Sequence, residues 1–260
     1  MSNDSAESVL GLIPEITVQR LFDERHETLH LEVLNPDIDL DRPVSNPDLS
    51  SPGIALMGYT ERFASDRIQV FGETEISYLR GLTPEERWGR VKGVFSFGIP
   101  VVFVTKGLEL PDGLLEVAAE CSIPVLRSDL STKDFYRHIK PYLDAVLAPR
   151  TNVHGSLADV YGVGLLFVGD SGVGKSECVL DLVERGHRLV ADDHIIVSRR
   201  GPDILLGQGH QFQAHHMEIR GLGIIDIRAL FGIHATRQQK RIEVMVRLQR
   251  WDEDTAYTRT

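Results

Sequence analysis

The chain has 260 residues, of which 42% are hydrophobic and 25% charged, with a formal net charge of -10. That length suits two ordinary domains of about 100 to 150 residues, and no apolar run approaches the ~20 residues that a membrane-spanning helix needs. The expectation is a soluble, cytoplasmic protein with no membrane partner, and the acidic balance argues against nonspecific attraction to nucleic acid.

Met1 to Ser8 is polar and lacks the basic-then-apolar pattern of a secretory signal. Cys121 and Cys178 sit in apolar stretches without a short-range partner. They exclude a disulfide framework or a four-thiolate zinc site and are expected as small buried side chains. Glu15 to Val33 mixes apolar and charged residues, and Asn35 to Gly53, with Pro36, Pro43, Pro47 and Pro52, reads as loop or tight turns. Val101 to Val104 predicts a buried strand, Leu114 to Cys121 a helix, Ile123 to Leu126 a strand and Lys133 to Leu147 a helix. Ser131, with Asp134 three residues on, is placed to cap that last helix, and Pro149 follows its end. This βαβα rhythm predicts an N-terminal α/β domain over residues 1–148. A second domain over 149–260 opens with strands expected at Val153 to Val160 and Leu165 to Val168, joined by a turn at Tyr161 to Gly164.

The segment Gly169, Asp170, Ser171, Gly172, Val173, Gly174, Lys175, Ser176 fits the phosphate-loop pattern G-x-x-x-x-G-K-[ST] at every position. A strand enters it, and the apolar positions Val179, Leu180, Leu182 and Val183 let a helix leave it, with Gly186 as its stop. Glycines at such positions allow backbone amides to converge on phosphate oxygens at the start of a helix. Lys175 is expected on the outer phosphates of ATP and Ser176 on Mg²⁺. The fold class is therefore α/β, with an N-terminal α/β domain followed by a phosphate-loop (Walker A) kinase domain built on a β-sheet core.

Several polar positions around the loop stay open on residue type alone. Asp192 and Asp193 interrupt an apolar run. They are either a polar turn or a metal partner and general base, and strand alternation allows only one of them to face a given site. His154 is a structural hydrogen bonder or an active-site group. His210, His215 and His216 form a solvated loop or, less in keeping with their spacing, a zinc site. Glu218 and Arg220 precede a glycine-flanked apolar run that is either a turn into a core helix or a functional loop. Arg237, Lys240 and Arg241 read as a solvated face.

Taken together, Val153-His154-Gly155, the loop from Gly169 to Ser176, Gly186 to Asp193, and Glu218 to Ile225 resemble the HPr kinase/phosphorylase family. Pro52 to Tyr59, Arg67 to Gly72 and Glu75 to Leu79 extend the likeness upstream. The resemblance implies a bifunctional enzyme that phosphorylates a serine of the phosphocarrier HPr with ATP or pyrophosphate, and removes that phosphate by phosphorolysis. It implies Asp193 as the base that takes and returns the seryl proton, and His154 and Lys175 as groups that stabilise or position phosphates. It further implies Ser176 and Glu218 as Mg²⁺ holders, Arg259 as a further active-site residue, and a homohexamer. Members of the family continue past the position of Thr260, so the chain is expected to lack a C-terminal part that meets HPr. The alternatives are a phosphate-loop kinase of a small-molecule hydroxyl and a nucleotide-binding switch; the latter lacks the Asn-Lys-x-Asp element that GTP switches carry.

Overall fold

A computed structural model describes residues 14–201, 203–210 and 215–251. Its contacts divide the chain into two compact units, one spanning Ile13–Ala148 and one containing Pro149–Thr260.

In the first unit the elements run β1 (Ile16–Thr17), α1 (Val18–Leu29), β2 (Leu31–Val33), β3 (Pro43–Val44), β4 (Leu49–Ser50), α2 (Gly53–Leu56), β5 (Ile68–Phe71), α3 (Glu73–Arg80), α4 (Pro84–Phe95), β6 (Val102–Val104), α5 (Leu114–Glu120), β7 (Val125–Ser128) and α6 (Thr132–Val146). Five strands form a sheet in the order β2-β7-β6-β5-β4, parallel except where β2 joins β7. Alternation along the strands feeds two cores. Phe71, Val102, Val104 and Val125 enter one face, and Ile68, Val70, Phe103 and Leu126 enter the other. Helices cover both faces, as a largely parallel sheet requires.

Local signals set the helix ends. Thr83 accepts from the Glu86 amide at 3.3 Å while Glu86 accepts from the Thr83 amide at 3.1 Å, a reciprocal cap with Pro84 behind it that starts α4. The Ser131 hydroxyl takes the Asp134 amide at 3.2 Å and so starts α6. The stretch expected as loop between Asn35 and Gly53 holds the short strands β3 and β4, each of two residues.

The second unit continues with β8 (Arg150–Val160), β9 (Val163–Val168), α7 (Lys175–Glu184), β10 (Arg188–Arg200), β11 (Ile204–Gly209), β12 (His216–Ile219), β13 (Gly223–Asp226), α8 (Ile227–Phe231), β14 (Gln239–Arg241) and β15 (Val244–Arg247). A six-stranded sheet has the order β14-β11-β10-β8-β9-β15 and is antiparallel except where β15 joins β9. One face buries Ala158, Phe167 and Leu189 with Val179 and Val183 of α7 and Met217 and Ile219 of the hairpin β12–β13. The other buries Leu157, Leu166, Val190 and Ile195. The sheet thus anchors the loop between β9 and α7, and the hairpin packs on the same side as that helix.

The basic cluster expected as a solvated face is corrected at Lys240, whereas Arg237 and Arg241 are exposed as expected. Lys240 is only 8% exposed and donates to both carboxylate oxygens of Glu243, at 2.9 and 3.1 Å. Arg237 bonds the buried Asp159 at 2.7 Å. A buried cation persists only when paired, so Glu243, three residues on, fixes Lys240, while the exposed Arg237 is tied to an acid 78 residues away in sequence. Both cysteines are free and half-buried rather than buried; at Cys178, burial pushes the thiol up from its ordinary range.

Candidate active site

Strand β9 delivers the chain to Gly169, and α7 begins at Lys175 with Gly174 as its N-cap. Gly172 and Gly174 take φ of 72° and 103°, left-handed values that a side chain resists. No side chain among the described residues caps α7. Its first amides are thus open to an anion, and the helix dipole adds favourable charge at the same place.

A cavity of about 350 Å³ opens at this point. Ser171, Gly172, Gly174, Lys175 and Ser176 line it from the loop, His154 and Ser156 from β8, Asp192 and Asp193 from β10, and Glu218 and Arg220 from the hairpin. Gly169, Asp170 and Val173 are not among the lining residues. The carbonyls of Gly169 and Asp170 instead accept from Lys175 Nζ at 3.0 and 2.9 Å. Lys175 is 7% exposed, so its ammonium is drawn inward along the loop.

The two adjacent aspartates both face the cavity, which overturns the expectation that only one can. Asp193 has φ of 65°, outside the extended range, and this breaks strand alternation at that residue. Their environments differ. Asp192 is buried; its Oδ1 accepts from Ser156 Oγ at 2.5 Å and Ser176 Oγ at 3.0 Å, while Oδ2 has no hydrogen-bond partner among the described residues. Burial raises its carboxyl above the usual range, against the lowering pull of both serines and of the Glu218 and Asp193 amides. Asp193 is half-exposed and stands between two imidazoles, with Oδ1 2.9 Å from His154 Nδ1 and Oδ2 3.3 Å from His194 Nε2. His154 Nδ1 also lies 3.1 Å from the Asp193 carbonyl.

These residues fit a nucleotide triphosphate and a hard divalent cation. The uncapped helix start offers amides to phosphate, and the orphaned, buried Asp192 Oδ2 beside Ser176 is an acceptor that a cation would complete. Among the described residues no group of three or more His, Cys, Asp or Glu converges as a ready metal cage. Mg²⁺ does not require one, because it keeps waters and commonly takes one or two carboxylates with substrate phosphates. Glu218, on the hairpin, is a further carboxylate in the cavity beside Asp192.

Of the residues expected at the site, His154, Lys175, Ser176, Asp193 and Glu218 share this cavity. Arg259 lies outside the described residues. His194, on Asp193, escaped sequence reasoning, whereas Asp192 and Arg220, left open there, now have definite places, Asp192 as the acceptor for Ser176 and Arg220 at the loop. The Arg220 guanidinium nitrogens stand 3.1 Å from where a Cβ on Gly172 would lie, so the arginine rests on the loop itself. Its one sequence signal was its place two residues after Glu218.

A strand, a phosphate loop, an uncapped helix and a group of carboxylates in one cavity define a phosphoryl-transfer enzyme of the phosphate-loop class. The comparisons make this particular. The profile of the HPr Serine kinase N terminus matches residues 16–143, and that of the HPr Serine kinase C-terminal domain matches residues 145–260. An HPr kinase/phosphorylase of Listeria monocytogenes serotype 4a is 45% identical over 233 residues, covering 90% of this chain and 75% of that protein. One from Geobacillus kaustophilus is 44% identical with the same coverage of 90% and 75%. A solved Hpr(Ser) kinase/phosphatase from Coxiella burnetii aligns with 32% identity and a TM-score of 0.36 over 37% of this chain and 64% of that one. The chain belongs to the HPr kinase/phosphorylase family, and is an enzyme of that bifunctional class.

Proposed function

We propose that this chain moves a phosphoryl group between ATP or pyrophosphate and a serine of HPr, and in reverse passes it from phosphoserine to orthophosphate. Phosphoryl transfer asks a protein mainly for positioning and charge stabilisation, and the cavity residues divide that work. Lys175 and Arg220 hold the phosphate oxygens from two sides. Ser176, Asp192 and Glu218 hold Mg²⁺, which when bound draws charge from the phosphoryl oxygens. His154 orients Asp193 through Nδ1 and keeps Nε2 for phosphate.

Asp193 is the base. In the forward direction the seryl oxygen forms a bond to the γ-phosphorus, the bond to the ADP oxygen breaks, and Asp193 takes the seryl proton. In reverse an orthophosphate oxygen attacks the phosphoserine phosphorus, the serine–phosphorus bond breaks, and Asp193 returns the proton, with pyrophosphate as product. Microscopic reversibility makes one carboxylate enough for both. Asp193 is favoured over Asp192 because it is half-exposed and reaches an incoming hydroxyl, whereas Asp192 is buried and bonded to two serines. That contrast carries the assignment.

The chain works in the cytoplasm as a homohexamer, and no helix among its described residues is long and apolar enough to cross a membrane. The deciding experiment replaces Asp193 by Asn and follows both directions with purified HPr and phosphoseryl-HPr. Loss of at least ~10²-fold in each is expected for removal of a general base. Full rate in either direction moves the base elsewhere.

A further inference from the structure

A second cavity, of about 340 Å³, is lined by Asp159, Tyr161 and Gly162 at the β8–β9 turn, by Arg185, Gly186, His187 and Arg188 between α7 and β10, and by Arg237. None of these residues lines the phosphate-loop cavity. Three guanidinium groups therefore share a small space at the far end of α7 from the phosphate loop.

The guanidiniums keep donors to spare. Arg185 spends Nε and Nη2 on Asp181, at 2.9 and 3.3 Å, which leaves Nη1. Arg237 spends Nε on the Gln239 carbonyl and Nη1 on Asp159, which leaves Nη2. Arg188 stands directly opposite Asp159 in the β10–β8 register, on the same face of the sheet, yet makes no ion pair among the described residues. The C-terminal carbonyls of α7 oppose an anion here, but their effect of about 1 kcal/mol or less is small beside three guanidiniums.

The buried carboxylate narrows the ligand. Asp159 is 5% exposed; Arg237 satisfies Oδ2, and Oδ1 has no hydrogen-bond partner among the described residues. An unpaired buried acceptor calls for a donor. We infer that this cavity is a second oxyanion site that takes orthophosphate in a protonated form, its anionic oxygens on Arg185, Arg188 and Arg237 and its P–O–H donated to Asp159. A small rotation of the Asp159 carboxylate presents Oδ1 to that proton. Sulfate, with no proton near neutral pH, meets the same guanidiniums but leaves the carboxylate facing an anion. Tyr161, 91% exposed at φ of 50° and packed edge-on to His187 at 4.5 Å, forms the rim.

This inference does not rest on the catalytic reading, and its test separates the two. The full chain is titrated with orthophosphate while backbone amide resonances are followed at two places, Gly162, Gly186 and His187 for this cavity and Gly172 and Gly174 for the phosphate loop. Saturable shifts are expected at the first set, with sulfate at least tenfold weaker. Arg188→Gln, an exposed substitution that leaves the Asp159–Arg237 pair intact, should weaken the first set at least tenfold and leave the second unmoved. No shift at Gly162, Gly186 and His187 up to 50-fold above the concentration that saturates the loop overturns the site. Sulfate equal to phosphate overturns the proton-donating contact.

Discussion

Replacing Lys175 by Met keeps the buried aliphatic stem and removes the ammonium, which isolates what the charge does. In the structure that ammonium makes two bonds, to the carbonyls of Gly169 at 3.0 Å and Asp170 at 2.9 Å. Bonds from a charged donor contribute about 1.5–3 kcal/mol each when the acceptor is left dry. Here Gly169 is half-buried and Asp170 exposed, so water can replace the lost donor at both. The net cost should fall to about 1 kcal/mol, or roughly 4 °C in the melting of the unit that carries the loop. The catalytic cost should be larger, because the ammonium would otherwise swing to the charge that develops on the phosphoryl oxygens. Loss of one such preorganised donor costs about 10²–10³ in turnover. Transfer of radiolabel from ATP to HPr measures the rate, and calorimetry the melting. Turnover within threefold of the parent would refute the phosphate role, and a fall in melting of more than about 10 °C would show that the lysine mainly holds the loop together.

Other substitutions probe the neighbours. Arg220→Ala should lower kcat/KM by about 10- to 100-fold with melting unchanged, since the side chain is exposed and rests on Gly172, and Arg220→Lys should recover only part of the loss because an ammonium cannot present a fork. Asp192 is held above its ordinary range by burial, so the folded chain binds that proton more tightly than the unfolded chain does. The contribution favours the fold below about pH 4 and is lost as pH rises through the folded pKa. Asp192→Asn should therefore melt no lower than the parent at pH 7 without metal, yet weaken Mg²⁺-dependent nucleotide binding about tenfold or more. A metal-free melting point lower by more than about 3 °C would mean that the carboxylate's bonds to Ser156 and Ser176 outweigh its burial cost. Gly155→Ala would put a Cβ 2.4 Å from the Phe167 carbonyl oxygen, a backbone atom of the paired strand β9. The strands must part, which should cost about 1–3 kcal/mol and be visible by thermal melting.

What the sequence made legible was local. The phosphate loop could be read because glycine, lysine and serine are each required by backbone geometry within eight residues, and the Ser131 cap because its partner is three residues away. The reciprocal cap at Thr83 and Glu86 carried the same kind of signal for α4 and could have been read in the same way. Contacts across the fold were not legible. Arg220 meets Gly172, and Arg237 meets Asp159, over separations that no spacing rule spans. Strand alternation misjudged the aspartate pair because a left-handed residue in a strand leaves no trace in residue type, aspartate being common in strands and turns alike. The parallel pairing of β15 with β9 is equally a product of the fold.

The left-handed backbone at Asp193 has an outcome for accuracy. Because the departure occurs inside the thirteen-residue β10, with Asp193 registered opposite Gly155 and its neighbours paired along β8, the carboxylate is fixed by the sheet rather than by a loop. Its aim is therefore as steady as the strands beneath it. The hairpin tip carrying Leu222 and Ile224, both more than 70% exposed, is held by far fewer pairings. If Asp193 is the base proposed above, adjustment to substrates of different bulk would fall to that outer lip while the carboxylate keeps its station.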